Sequence, residues 1–194
     1  MHVVAYCSDE YEAMTRWAAG NRAIIYTSPP LTRNDLFPDV LGDFENADLL
    51  VFNLHGMPGT PAFFGRQDGT PVALHADQVR KLNLGRAVVF AYGCYTGDDS
   101  NPMRDALLDA GARAVVAGAG INYGGSHWPV GADWLLMVLR VSMSAASAWS
   151  EALDIDRVLE TMSKVLRASP LIADHDAAEF RVWRRDESKD HANV

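Results

Sequence analysis

Two residues of this chain, His55 and Cys94, have the side chains and the local sequence of a base and a nucleophile. Each follows a short apolar segment and stands next to a glycine: residues 49–56 read LLVFNLHG and residues 87–94 read AVVFAYGC. A thiol attacks carbonyl carbon once it is deprotonated, and an imidazole can take that proton and later give it to a leaving amine. The pair therefore predicts acyl transfer through a thioester on Cys94, provided that the fold brings the two side chains together.

Each of the two residues, taken alone, also has an ordinary structural explanation. Most free cysteines are small buried apolar side chains, and a histidine at a strand end can simply bond to a loop carbonyl. The functional interpretation depends on the combination, because two separate strand ends present His-Gly and Gly-Cys. Gly56 would allow a close backbone approach, so that its amide and the amide of Cys94 could hold a developing oxyanion.

The segments that must position the pair predict a parallel α/β sheet. Apolar runs typical of strands alternate with amphipathic runs typical of helices. The predicted strands are 3–7, 23–27, 49–54, 87–92, 114–118 and a late edge strand within 179–185, with a hairpin formed by 62–64 and 71–73. The predicted helices are 11–18, a poorer one within 32–45 that Pro38 interrupts, 74–82, one from Pro102 to Gly111, 129–150 and 155–166. Continuously apolar strands indicate a parallel sheet covered on both faces, and reactive groups gather at the carboxyl ends of such strands. His55 and Cys94 are thus expected at the same edge.

Composition and charge narrow the function classes. A chain of 194 residues with 48% hydrophobic and 22% charged residues fits one globular domain, which we place at residues 1–185, followed by a polar tail at 186–194. A net charge of -8 argues against nucleic acid and anionic membrane surfaces as partners. No apolar stretch reaches the length of a membrane span. The two cysteines, Cys7 and Cys94, provide no disulfide framework, so a reducing cytoplasmic setting is expected.

Other cysteine chemistries fit the sequence less well. A tyrosine-phosphatase loop needs an arginine six residues after the cysteine, and this chain has Ser100 there. A nucleophile elbow would need glycines where Tyr92 and Thr96 stand. The later histidines, His127 and His175, lie in no comparable sequence context. Cys7 also ends a strand, and a buried packing role is expected for it.

Residues 50–56 (LVFNLHG) and 88–97 (VVFAYGCYTG) resemble the paired motifs of the caspase-like cysteine peptidases, and of their CHAT branch in particular, which is related to separase, gingipain and clostripain. The resemblance runs from about residue 45 onward. It implies a three-layer caspase-like α/β fold, with a mainly parallel sheet of five or six strands and helices on both faces. It also implies that strands one, three and four are neighbours. In this family Cys94 would be the nucleophile, His55 the general acid and base, and the amides of Gly56 and Cys94 the oxyanion hole. One departure concerns specificity: the residue after the cysteine is often acidic in that branch and is Tyr95 here.

The expected function is therefore that of a cysteine endopeptidase acting on a peptide or protein substrate, without a metal or organic cofactor. The alternative is a catalytically silent caspase-like module that binds or regulates another protein. The residues predicted to contact substrate are Tyr95, Asp98, Asp99 and Tyr123, the last in a glycine-rich loop after the fifth strand. Asp98 and Asp99 favour a basic residue before the cleaved bond, although they also fit solvated loop charges near a helix start. A regulatory protein partner would be consistent with either function.

Overall fold

The computed structural model describes residues 1–122, 125–148 and 180–184, together with residues 154, 155, 157, 158, 160, 161 and 164. The strands, in chain order, are β1 (Val3–Ser8), β2 (Ile24–Ser28), β3 (Leu49–Asn53), β4 (Ala62–Phe64), β5 (Val72–His75), β6 (Val88–Ala91), β7 (Ala114–Gly118) and β8 (Phe180–Trp183). The helices are α1 (Glu12–Ala19), α2 (Pro38–Asn46), α3 (Ala76–Val79), α4 (Pro102–Asp109) and α5 (Gly131–Ala148), and a short 3-10 turn spans Asp9–Tyr11.

Six of these strands form the central sheet, in the order β2-β1-β3-β6-β7-β8. Every neighbouring pair is parallel except β7 and β8, which are antiparallel. The predicted α/β class, the mainly parallel sheet of five or six strands and the late edge strand are confirmed. The expected neighbourhood of the first, third and fourth main strands is also found, because β1, β3 and β6 lie side by side.

The sheet is covered on both faces because its strands are apolar at successive positions. One face, with Val51 and Phe90, packs against α1 and α5. The opposite face, with Phe52 and Val89, packs against α2, α3, α4 and the β4–β5 hairpin. Successive strand side chains point to opposite faces, so only a continuously apolar strand can fill both cores. The three-layer arrangement follows from that pattern.

Several helix boundaries differ from the sequence prediction. Pro38 does not interrupt a helix but stands in the first turn of α2, where its missing N–H leaves no bond unmade. Helix α3 is only four residues long, not 74–82, because 74 and 75 belong to β5 and His75 caps the helix by accepting from the Asp77 amide. Helix α5 begins two residues after Pro129. The hairpin predicted at 62–64 and 71–73 is confirmed.

Two predicted elements fall largely or wholly outside the described residues. Those residues of the 155–166 segment that the structure does describe, from 155 to 164, are helical. The polar tail at 186–194 lies outside the described part of the chain. Among the residues that are described, no helix combines the length and the apolar character needed to cross a lipid bilayer.

Candidate active site

His55 and Cys94 follow neighbouring parallel strands, β3 and β6, at the same edge of the sheet. The pairing continues just past β6, since the Tyr92 amide donates to the Phe52 carbonyl at 2.8 Å. Beyond that point the two chains come still closer. A Cβ atom placed on Gly56 would lie 2.9 Å from the Cys94 nitrogen and even closer to the Cys94 carbonyl oxygen. Only glycine fits at position 56 without moving the backbone that carries the sulfur.

The backbone of His55 is held by the β4–β5 hairpin, and its ring is held by an acidic side chain. The His55 amide donates to the Phe64 carbonyl at 3.0 Å, and the Phe64 amide donates back at 2.9 Å. His55 Nε2 lies 2.7 Å from Glu10 Oε1, and only 12% of the imidazole side chain is exposed. When Nε2 donates to this carboxylate, a neutral ring has its lone pair on Nδ1, where it can accept a proton.

Glu10 and Tyr11 belong to the site, and the sequence analysis did not identify them. The Tyr11 ring lies 5.3 Å from the His55 ring, between centroids. Burial, together with the nearby charges of Glu10 and Cys94, raises the pKa of the Tyr11 hydroxyl to about 12. Both residues lie in the turn that directly follows β1, the strand beside β3. The rule that functional groups gather at carboxyl strand ends, applied to β1, would have pointed to them.

The sulfur of Cys94 is half-buried and contacts the main chain of Asn122. Cys94 Sγ donates to the Asn122 carbonyl at 3.3 Å, and the Asn122 amide donates to Sγ at 3.4 Å. Among the described residues, no hydrogen bond joins Sγ to His55, whose Nε2 is bonded to Glu10. The imidazole and the thiol thus share one edge of the sheet, while each bonds to a different third residue.

Within the described chain, neither the Gly56 N–H nor the Cys94 N–H donates a hydrogen bond to a protein group. Buried or half-buried amides are usually paired, so two amides beside a thiol that lack such a bond can receive a ligand oxygen. These are the two donors that the resemblance assigns to the oxyanion hole.

The turn that carries Cys94 is fixed by side chains on both of its sides. Gly93 leaves no room for a side chain, because a Cβ there would lie 2.6 Å from the Phe63 ring. Thr96 Oγ1 donates to the Gly93 carbonyl at 2.6 Å. Tyr95 is the one described residue other than glycine with a positive φ, at 62°. A non-glycine residue in this left-handed conformation is strained, and such strain is held in place by its surroundings.

Arg104 binds the far end of the loop that begins at Cys94, at residues 98 and 99. Its buried guanidinium donates to the Asp98 carbonyl and, at 2.8 Å, to the Asp99 carbonyl. The guanidinium carbon also lies 4.2 Å from the centre of the Trp183 ring in β8. The loop after Cys94 therefore contacts the last strand of the sheet through the Arg104 guanidinium.

The residues predicted to contact substrate have different surroundings. Asp98 is half-buried and its carboxylate accepts from the Gly120 amide at 3.1 Å, so it holds the loop after β7 in place. Asp99 is exposed and Tyr95 is half-buried. Tyr123 lies outside the described residues.

The other reactive side chains that the structure describes make no contact with His55 or Cys94. Cys7 is fully buried, as expected, and its Sγ donates to the Tyr26 carbonyl at 3.6 Å. Burial raises the pKa of the Cys7 thiol to about 12. His127 is exposed and bonds to Ser126, and His175 falls outside the described residues. The described residues contain no cluster of three or more His, Cys, Asp or Glu side chains that could hold a metal ion.

Comparisons with known proteins give a likeness of fold alone. No protein-family model matches the chain, and no curated protein matches it in sequence. Two crystal structures of the Saccharomyces cerevisiae separase–securin complex, at 2.6 and 3.0 Å resolution, contain a chain similar to this one. Each superposes with a TM-score of 0.59 and 13% sequence identity over 95% of this chain. This chain spans only 12% and 11% of the length of those chains. The protein thus has the caspase-like α/β fold that is present in separase.

Proposed function

We propose that this protein is a cysteine endopeptidase in which Cys94 is the nucleophile and His55 the general acid and base. In the first step the Cys94 thiol gives its proton to His55 Nδ1, and Sγ attacks the carbonyl carbon of the scissile peptide bond. The amides of Gly56 and Cys94 stabilise the resulting oxyanion. His55 then protonates the leaving amine, which departs as the C–N bond breaks and the thioester forms. Water, deprotonated by His55, hydrolyses the thioester and restores the thiol.

Glu10 acts as a positioning residue in this proposal. Its carboxylate accepts from His55 Nε2, which orients the ring and stabilises the imidazolium that forms during each half-reaction. The carboxylate is half-exposed, so the contribution of its charge is partly screened by water.

The single observation that carries the proposal is the close approach of the Gly56 and Cys94 backbones. Their two amides, which have no partner among the described residues, converge beside a sulfur, and a base held by a carboxylate stands on the adjoining strand. Two donors beside a thiol are the arrangement that acyl transfer needs around a developing oxyanion, and this supports the proposal.

A peptide-library cleavage assay tests the proposal. We expect the native chain to cleave library peptides, and Cys94→Ala and His55→Ala to reduce cleavage by at least about 10³-fold. Glu10→Gln should reduce kcat by about tenfold or more and leave folding intact. Glu12→Gln is the matched control, because Glu12 is a similarly half-exposed acid two residues away whose ion pair is with Arg16. Peptide cleavage by the Cys94→Ala variant at the native rate would contradict the proposal.

The substrate class we propose is a peptide with a basic residue before the cleaved bond. The net charge of -8 and the adjacent Asp98 and Asp99 favour a cationic side chain beside the nucleophile. Asp99 is the exposed member of the pair and is the better placed to meet a substrate directly. Equal cleavage of acidic and basic library peptides would contradict this preference.

A second candidate function is a caspase-like module that binds or regulates another protein without cleaving it. The observation in its favour is that the sulfur bonds to Asn122 and not to His55. The similar chains come from a separase–securin complex, so a protein partner is reasonable for this chain as well. If Cys94→Ala and His55→Ala leave every biological activity of the protein unchanged, this second function replaces the first.

A further inference from the structure

We infer that Asn122 controls the reactivity of Cys94: its main-chain carbonyl and amide both bind the thiol, and residue 122 must turn away before the sulfur can face a substrate. The inference rests on the proposed function, because it takes Cys94 as the nucleophile. In this role Asn122 is a positioning residue on the loop after β7, and it would not take part in bond making itself.

The contacts of the sulfur define the resting arrangement. Both polar main-chain atoms of Asn122 lie within 3.4 Å of Cys94 Sγ, the oxygen at 3.3 Å and the nitrogen at 3.4 Å. The carbonyl oxygen accepts from the thiol and the amide donates to it, so one residue engages both the proton and a lone pair of the sulfur. While the S–H bond points to this oxygen, the proton is not directed at His55. Both atoms also lie against the sulfur, which restricts the access of a second molecule to it.

The side chain of Asn122 explains why this arrangement can open. It is 7% exposed, and its Nδ2 makes only long bonds, 3.4 Å to the Gly93 carbonyl and 3.5 Å to the Gly118 carbonyl. Its Oδ1 is buried and has no hydrogen-bond partner within the described chain. A buried amide oxygen without a partner disfavours the conformation that contains it. The resting position of residue 122 is therefore held by weak contacts around an unsatisfied group.

The preceding part of the loop is held more firmly, so that residue 122 can move while residues 118–120 stay in place. The Gly97 amide donates to the Gly118 carbonyl at 2.9 Å, and the Gly120 amide donates to the Asp98 carboxylate at 3.1 Å. These bonds fix residues 118–120 against the turn that carries Cys94. A rotation of the backbone at residue 122 would leave them intact while it freed the sulfur.

The rate of Cys94 alkylation by iodoacetamide, measured from pH 5.5 to 9 on the full chain, tests this inference. Cys94→Ala provides the blank, since Cys7 is fully buried. We expect Asn122→Ala, which removes both long bonds that hold the residue, to raise the alkylation rate by about tenfold throughout this pH range. Ser126→Ala, an exposed change at a nearby position, should leave the rate unchanged.

A second variant covers the case in which Asn122→Ala does not fold. A Cβ at Gly118 would lie 2.8 Å from Asn122 Nδ2 and closer still to Oδ1, so Gly118→Ala should push the side chain out and also accelerate alkylation. An unchanged rate in a folded variant would overturn the inference. A lower rate would overturn it too, because it would show that residue 122 does not restrict access to the sulfur. Both results are independent of peptide cleavage, so the failure of this inference can be told from failure of the proposed function.

Discussion

At the residue scale, the site depends on the approach of two main chains more than on any one side chain. Gly56 and Cys94 meet where their strands end, and the space between them has no room for a Cβ atom. The two backbone amides next to the sulfur take their positions from that contact. Changes at position 56 should therefore affect both stability and chemistry.

Gly56→Ala is expected to abolish measurable cleavage and to lower the free energy of unfolding. The added methyl would overlap the Cys94 backbone, which costs about 1–3 kcal/mol in a packed region, and displacement of an oxyanion donor costs about 10²–10³-fold in kcat. Gly42→Ala is the matched control: nothing lies within 4 Å of a Cβ there, and the change should stabilise helix α2 by about 0.5–1 kcal/mol. Urea unfolding and the cleavage assay give the two readings. A fully active Gly56→Ala variant would contradict the proposed oxyanion hole.

The sequence predicted part of the site and not the rest, for a physical reason. His55, Gly56 and Cys94 stand directly after apolar strands, so their positions follow from the parallel sheet. Glu10 and Asn122 carry no comparable local signal. Glu10 reaches the imidazole from a turn on a neighbouring strand, and Asn122 meets the sulfur 28 residues further along the chain. Contacts of this kind depend on loop geometry, which a single sequence does not specify.

At the scale of elements, the β4–β5 hairpin supports both halves of the site. Phe64 bonds to the backbone of His55, while the adjacent Phe63 packs beneath Gly93 and lies 5.7 Å, between ring centroids, from Phe52 of β3. One short strand, β4, thus bonds to the backbone of His55 and also packs against the turn that carries Cys94. The sequence predicted the hairpin itself, but nothing in its composition indicated that it supports the reactive pair.

Phe63→Ala should reduce stability and also disturb the nucleophile turn. Phe63 is 1% exposed, so loss of its ring leaves a cavity that costs about 3–5 kcal/mol. Phe37→Ala is the control, because Phe37 is 62% exposed and the same change there should cost less than about 0.5 kcal/mol. Urea unfolding measures both, and the iodoacetamide rate of Cys94 reports on the turn. Equal losses in the two variants would show that the hairpin does not support the site in this way.

At the scale of the whole molecule, the sequence was sufficient for the fold class and for most strands. Continuously apolar strands between amphipathic segments dictated a parallel sheet with two covered faces, and both cores are present. The errors lay at helix ends. Leu74 and His75 fit a helix by composition, yet their pairing with β4 places them in a strand. Such long-range pairing overrides local preference.

Alkaline pH should destabilise the folded protein. Burial raises the pKa of the Cys7 thiol to about 12 and that of the Tyr6 hydroxyl to about 12, above the values of 9.0 and 10.0 for exposed groups. The folded state then holds protons that the unfolded chain releases. The contribution of these two groups to the free energy of unfolding is therefore constant below about pH 9 and falls as the pH rises from there towards 12, by up to about 1.4 kcal/mol per pH unit for each group.

Urea unfolding between pH 7 and 11 checks this expectation, with Cys7→Ala as the comparison. The variant should lose stability at pH 7 through packing and should show a shallower decline above pH 9. Parallel curves for the native chain and the variant would contradict the assignment of the decline to Cys7.

Arg104 connects β8, the last strand of the sheet, with the segment of the chain that follows Cys94. Its guanidinium rests on the Trp183 ring and at the same time binds two carbonyls of the segment after Cys94. A displacement of β8 would take the Trp183 ring away from the cation that binds the carbonyls of residues 98 and 99. The position of the segment after Cys94 thus depends in part on a strand more than 80 residues further along the chain.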